Sequence, residues 1–290
     1  MYEILKKVKL AENIYLMDIH APRVAASAHP GQFIILRSTP EGERIPLTIS
    51  DYDIERGSVQ IVVQTLGVST LKLAEKEEGD SVEDFAGPLG RPSDFIYENL
   101  EELKGKRLLF IAGGVGTAPV YPQVKWLKEH GVDADVIIGA KTKSLLILTD
   151  EMRAVAGNLY IATDDGSEGF HGMVTGCLKK LVEEDGKRYD TVITIGPMIM
   201  MKFVSLTTKE LGIPTIASLN SLMVDGTGMC GACRVSVGGK TKFTCVDGPE
   251  FDAHQVDFDE AMRRSGQYRD EEQRRLEKYK DHKCRIGLDK

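Results

Sequence analysis

The chain has 290 residues, enough for about two domains whose cores fold without staples, which excludes a disulfide scaffold and a zinc-dependent miniprotein. Apolar residues make up 42% and charged residues 28%, a balance that fits neither wholesale disorder nor a membrane protein. With 37 Lys+Arg against 44 Asp+Glu the net charge is −7, which disfavours non-specific nucleic-acid binding.

Met1–Lys7 lacks an apolar h-region and a small-residue cleavage site, so a cytoplasmic chain is expected. The first hundred residues carry short apolar or alternating runs (14–19, 32–36, 58–64) between Gly, Pro and charged turns, the pattern of a small antiparallel barrel. A charged stretch, 98–106, marks a boundary. Strand 107–112, glycine turn 113–119, helix 120–130 and strand 134–140 then form a βαβ unit, with further strands at 159–163, 191–195 and 214–218 and helices at 172–185 and 197–211. The apolar run 191–204 is interrupted by Lys202 and is too short to span a bilayer. From Leu219 the chain is rich in Gly and Cys. From Asp257 it is a charged tail, read as a surface or partner-docking helix over 260–283, with solvated disorder as the alternative. The expected layout is a barrel (1–100), an α/β domain (101–220), a cysteine module (221–256) and the tail (257–290).

Three segments carry chemistry. Gly113-Gly114-Val115-Gly116-Thr117-Ala118-Pro119 follows a strand and opens a helix, where backbone N–H groups and the helix dipole favour a phosphate. Pro119 stands where a third glycine would complete the dinucleotide fingerprint, so a plain tight turn is the competing reading. Of five cysteines, Cys230, Cys233 and Cys245 cluster in a glycine-rich segment with a hairpin, a metal pocket in a reducing compartment. Iron–sulfur clusters usually take four Cys; Asp225, an anionic ligand at the start of the loop, is the candidate for the fourth place, and a Cys₃Asp zinc site is the competitor. Cys177 reads as a buried apolar residue and Cys284 as a tail thiol. Arg44-Ile45-Pro46-Leu47-Thr48-Ile49-Ser50 offers an Arg and two hydroxyls on one strand, which by itself reads first as an exposed edge strand.

Taken together, in order and spacing, Arg44-x-Pro46-Leu47-Thr48, the glycine loop and Ile195-Gly196-Pro197-x-x-Met200 resemble the ferredoxin–NADP reductase superfamily of flavoenzymes. The cysteine extension is similar to the branch holding the dihydroorotate dehydrogenase electron-transfer subunits. Asp225 in place of a cluster Cys, and Ile195 in place of the usual Cys, narrow the resemblance to the small subunits of bifurcating NADH-dependent reduced ferredoxin:NADP oxidoreductases, also called sulfide dehydrogenases. The resemblance spans residues 1 to about 255.

It implies that Arg44 meets the FAD phosphate, that Pro46, Leu47 and Thr48 line the flavin, and that Gln64, Gly67, Ser69 and Thr70 belong to a second FAD segment. Gly114, Gly116, Thr117 and Pro119 would cradle the nicotinamide dinucleotide, Gly196, Pro197 and Met200 would flank the nicotinamide, and Asp164 would meet the ribose. Asp164 repels a 2′-phosphate, favouring NAD(H), with NADP(H) as the alternative carried by Lys141 and Lys143. Asp225, Cys230, Cys233 and Cys245 would hold a [2Fe–2S] cluster. No acid–base residue is expected, because hydride transfer needs only close placement. The implied partner is a larger iron–sulfur flavoprotein subunit in a heterodimer, with ferredoxin reached indirectly and no nucleic acid or membrane engaged. A dihydroorotate dehydrogenase subunit and a zinc-stabilised binding module are the alternatives.

Overall fold

The computed structural model describes residues 2–288, with side chains described through Asp281. Cys284 therefore lies outside the described side chains. No helix among the described residues is long and apolar enough to cross a membrane.

Seven antiparallel strands make the first sheet: β1 (Tyr2–Ala11), β2 (Ile14–His20), β3 (Phe33–Arg37), β4 (Ile45–Asp53), β5 (Ser58–Gln64), β6 (Ser81–Val82) and β7 (Asp84–Leu89). They are ordered β6-β1-β2-β5-β4-β3-β7. Its two outermost strands, β6 and β7, are separated in sequence by Glu83 alone, so the sheet has to roll round until its edges meet. Inward-facing Ile4, Met17, Ile19, Ile34, Ile49 and Ile61 fill the roll. Short helices α1 (Pro22–Ala25) and α2 (Val68–Ala74) close it, and α3 (Leu100–Lys104) leads into the second unit.

The expected edge strand is corrected here: β4 is an interior strand, paired with both β3 and β5. Its first half explains the misreading. Ile45–Thr48 pair only with β3, and pairing to β5 begins at Ile49, so Pro46 deletes no ladder bond and the other edge of Pro46-Leu47-Thr48 is open.

β8 (Leu108–Gly113), β9 (Ala134–Ala140), β10 (Leu159–Thr163), β11 (Phe170–His171), β12 (Thr191–Ile195) and β13 (Thr215–Ser218) form a parallel sheet. Both faces are covered, by α4 (Thr117–Glu129) and α5 (Thr149–Val155) on one side and α6 (Val174–Lys179) and α7 (Met198–Glu210) on the other, which is why these strands read as continuous apolar runs. Helix α4 starts three residues before the sequence expectation. Pro119 sits in its first turn, where its missing N–H is an orphan position anyway.

After β13, the hairpin β14 (Arg234–Val237) and β15 (Lys240–Phe243) and the short α8 (Thr244–Asp247) carry the cysteines. β16 (Glu250–Asp252) then returns antiparallel to β13 and completes the second sheet. The charged tail is two helices broken at Gly266–Tyr268: α9 (Phe258–Ser265) and α10 (Arg269–Leu288). α9 buries Phe258 and Ala261 against α7. α10 reaches back to the barrel, with the Tyr279 hydroxyl on Glu75 at 2.7 Å and Arg275 paired with Glu43, so part of the expected partner-docking surface is spent on this chain itself.

Candidate functional site

The second sheet has strand order β11-β10-β9-β8-β12-β13-β16. The order in which successive strands are added switches sides between the parallel neighbours β8 and β12, and ligands of such sheets bind outside the carboxyl ends of the strands at that switch point. Gly113 ends β8 and Gly196 follows β12, and the two loops interlock. A Cβ on Gly196 would stand 3.0 Å from Gly113 N, one on Gly113 would stand 2.3 Å from Met200 Sδ, and one on Gly116 would stand 2.2 Å from Ile195 O. Gly116 and Gly196 are therefore demanded by backbone approach, and Gly113 by the Met200 side chain packed against it. Gly114, at φ +55, has open space where a Cβ would be, leaving its backbone accessible from the cleft.

These loops face the open edge of β4 across a cavity of about 910 Å³. Its walls hold Pro46, Leu47, Thr48 and Gln64 from the barrel and Gly114, Gly116, Pro119, Asp164, Gly196, Pro197 and Met200 from the sheet. Phe33, Lys141, Met173, Phe203 and Pro249 also line it. Phe33 and Pro249 had no sequence signal, because only the return of β16 brings residue 249 beside the barrel. A smaller polar cavity of about 430 Å³ lies elsewhere, between barrel and α4, and is crossed by the Lys125–Asp51 ion pair at 2.9 Å; it contains none of the loop glycines.

Five expected contacts, Arg44, Gly67, Ser69, Thr70 and Thr117, do not line the cleft. Thr117 is fully buried, its hydroxyl donating to Gly114 O at 2.9 Å. The Thr70 hydroxyl accepts from the N–H groups of Leu66 and Gly67, capping α2, and Ser69 donates to Glu43 at 2.7 Å. Gly67 gives its N–H to the same Thr70 hydroxyl and has no atom within 4 Å of its Cβ position, so space is open on that side. Arg44 turns to the cysteine module, Nε donating to Val224 O at 3.2 Å and Nη2 to Asp225 O at 3.4 Å.

In that module Cys233 and Cys245 are buried with their sulfurs 3.2 Å apart, and Cys230 is exposed. Backbone amides point at sulfur, Ala232 N at Cys230 Sγ (3.5 Å) and Cys245 N at Cys233 Sγ (3.4 Å). Burial first, then the Cys233 thiol, pushes the Cys245 thiol up to about 12, and Asp225 adds to the rise. The Asp225 carboxylate accepts from the backbone N–H groups of Thr227 (2.6 Å) and Cys230 (2.8 Å), and the Thr227 amide first of all holds its carboxyl below the usual range. It thus caps the loop that presents Cys230. Gly226, Gly228 and Gly231, all at positive φ, provide the tight folding of this loop. Thiols with N–H donors aimed at sulfur are a donor set suited to an iron–sulfur cluster, and an apolar cleft with an open strand edge and bare glycine amides suits a flavin beside a dinucleotide. Cys177 is a core residue whose burial pushes its thiol up to about 11.

A rolled antiparallel sheet, a parallel sheet with glycine loops at its switch point and a thiol-bearing loop define a reductase of the flavin- and pyridine-nucleotide-binding class. Residues 220–257 match the iron–sulfur cluster binding domain of dihydroorotate dehydrogenase B. The chain is 46% identical over 277 residues to a Thermotoga maritima homolog of the dihydroorotate dehydrogenase B (NAD(+)) electron transfer subunit, covering 96% of this chain and 95% of that one. Against the Geobacillus thermodenitrificans electron transfer subunit it is 33% identical over 261 residues, covering 87% and 96%. A Clostridium beijerinckii protein described only as uncharacterized, in the adh 3′ region, is 62% identical over 272 residues, covering 94% and 92%. A solved structure of the NADH-dependent reduced ferredoxin–NADP oxidoreductase, a flavin-based bifurcating enzyme, aligns with a TM-score of 0.87 at 45% identity, covering 96% of this chain and 98% of that one. Phthalate dioxygenase reductase, at 19% identity and a TM-score of 0.53 over 72% of this chain and 63% of that one, shares the fold. The chain belongs to the family of dihydroorotate dehydrogenase B electron-transfer subunits and their homologues.

Proposed function

We propose that this chain is the electron-transfer subunit of a flavin-based bifurcating NADH-dependent reduced ferredoxin:NADP⁺ oxidoreductase, binding FAD, NAD(H) and a [2Fe–2S] cluster. The observation that carries this reading is the likeness to the bifurcating enzyme, which runs through barrel, sheet and cysteine module at 45% identity and 98% coverage of that chain. Flavin exchanges a hydride with nicotinamide and single electrons with an iron–sulfur centre, so it links a two-electron donor to a one-electron relay.

The protein's part is placement. The unpaired edge of Pro46-Leu47-Thr48 offers backbone groups and the Thr48 hydroxyl to the flavin ring, and Arg44, with the open space beside Gly67, serves its phosphates. Gly114 and Gly116 receive the dinucleotide at the start of α4, and Gly196, Pro197 and Met200 hold the nicotinamide against the flavin. Asp164 beside Lys141 on the cleft rim favours the ribose of NAD(H). Cys230, Cys233 and Cys245 bind the cluster, and Asp225, with its carboxylate already 2.8 Å from Cys230 N, takes the fourth place. The subunit works in the cytoplasm in a heterodimer with a larger iron–sulfur flavoprotein, through which ferredoxin is reached.

Purification with its partner tests this reading. A yellow-brown protein with flavin bands, iron, a paramagnetic [2Fe–2S] signal after reduction and NADH-dependent dye reduction is expected; a colourless protein holding zinc overturns it. The match of residues 220–257 to the dihydroorotate dehydrogenase B domain favours a second reading, a subunit of that enzyme. Co-purification with a TIM-barrel flavoprotein would decide for it.

A further inference from the structure

Barrel and parallel sheet meet along α4 in two unlike places. Beside the cleft the contact is apolar: Ile14 and Leu16 of β2 and Val62 of β5 pack with Ala118 at the start of α4 and with Ile147 and Leu148. Farther along α4 the facing walls are polar, around the cavity of about 430 Å³ that holds Asp18, Asp53, Arg56 and Glu129 and shares no lining residue with the cleft. Across this gap Lys125 of α4 reaches Asp51 of β4, its Nζ donating to Oδ1 and Oδ2 at 2.9 Å each, with both side chains partly buried. The fold aims both ends. Ile49 faces Ile61 and Asp51 faces Gln60, so Ser50 is an extra residue on β4, and such a bulge redirects the side chain beside it. The Tyr52 N–H donates to Asp51 Oδ1 at 2.9 Å and holds the carboxylate in place, while Lys125 Nζ stands 5.9 Å from the centre of the Tyr121 ring, one turn earlier on α4.

Strand β4 and helix α4 each run from the cleft to this pair. Thr48, on the cleft wall, precedes Asp51 by about 10 Å of strand, and Pro119, on the opposite wall, precedes Lys125 by about 9 Å of helix. Apolar contact is non-directional and lets two surfaces tilt on one another, whereas a charged N–H···O pair has a preferred length and direction. We propose that Lys125 and Asp51 are positioning residues: their ion pair is a strut that fixes the angle between barrel and parallel sheet about the apolar contact of Ile14, Val62 and Ala118, and so sets how far the Pro46-Leu47-Thr48 edge stands from the glycine loop. Removing one partner leaves a partly buried charge alone in the gap, which draws water in and lets the two walls part. The strut stands on contacts within this chain; its bearing on hydride transfer rests on the cofactor reading above.

The test uses the full chain as wild type, Lys125→Met, Asp51→Asn, the double variant and Lys125→Arg. Trp126, the one tryptophan of the sequence, lines the same polar cavity, so acrylamide quenching of its emission reads the opening of that side without any cofactor. Quenching is expected to rise about twofold in Lys125→Met and in Asp51→Asn, no further in the double variant, and not at all in Lys125→Arg, which keeps the charge and the reach. The rate at which NADH reduces bound flavin should fall about 5-fold in the same three variants at unchanged flavin content, and hold in Lys125→Arg. Losses that multiply in the double variant overturn the proposal, as do unchanged quenching in both single variants, or raised quenching with an unchanged rate in flavin-loaded protein. Should Lys125→Met fail to fold, Asp51→Asn, nearly isosteric with the native residue, and Lys125→Arg carry the comparison. A wild-type protein without flavin sinks the cofactor reading and leaves the quenching comparison intact.

Discussion

Arg44 Nε donates to the carbonyl of Val224 at 3.2 Å, joining residues 180 positions apart. The contact ties the start of β4, whose open edge faces the cleft, to the loop that carries Asp225 and Cys230. One guanidinium thus bears on two sites, with donors to spare for an anion because its fork offers five N–H groups.

Replacing Arg44 by Ala is expected to speed flavin loss about 10-fold and to lower iron content as well, since both a charge-assisted bond and the loop anchor go. Arg44→Lys should fall between, lacking the planar fork. The rise of free-flavin fluorescence after dilution and iron per chain give the measurement; normal iron content in Arg44→Ala would break the proposed link.

Cysteine substitutions should divide sharply. Cys233→Ser and Cys245→Ser are expected to abolish the reduced-state paramagnetic signal. Cys177→Ala should keep full iron and lose about 1 kcal/mol of stability, the cost of a small cavity in the α6 packing. Because burial pushes its thiol up to about 11, Cys177 should also resist alkylation at pH 7.5 in the folded protein.

A glycine pair tests the switch-point geometry. Gly116→Ala places a Cβ 2.2 Å from Ile195 O, so the two loops must part; about 3 kcal/mol of stability and at least tenfold in the KM for NADH are expected to be lost. At Gly67, extended at φ −124 and with no atom within 4 Å, an added methyl should leave stability unchanged and weaken only flavin retention. Melting curves and NADH titrations distinguish the outcomes.

Acid sensitivity should trace partly to Asp190. Arg107, bonding it through both side chain and backbone, lowers its carboxyl to about 2. A depressed value contributes stability that is present above the unfolded carboxylate range and lost as pH falls from about 4 toward 2. The pair is exposed, so the effect is modest. Asp190→Asn should therefore be less stable than wild type at pH 6 and indistinguishable from it near pH 2; equal urea midpoints at both values would contradict this.

The sheet strands were legible because doubly covered parallel strands are plain apolar runs, and 134–140, 159–163 and 191–195 fall where the sequence puts them. The rolled sheet was legible from its turns. Arg44–Ser50 was misread because Pro46 signals an unpaired edge, and periodicity does not tell a whole edge strand from an interior strand that is unpaired over half its length. The tail helix was expected, but not its break at Gly266–Tyr268 nor its return to Glu43 and Glu75.

Spacing along the chain by itself pointed to the chemistries to expect: glycines where backbone would approach a phosphate and thiols where a metal would be held. Tertiary structure alone decided which of these residues face one another. Phe33 and Pro249 belong to no motif and line the same cleft only because β16 returns beside the barrel. Local sequence fixes what a side chain is able to do; desolvation and long-range contact decide which side chains share a site.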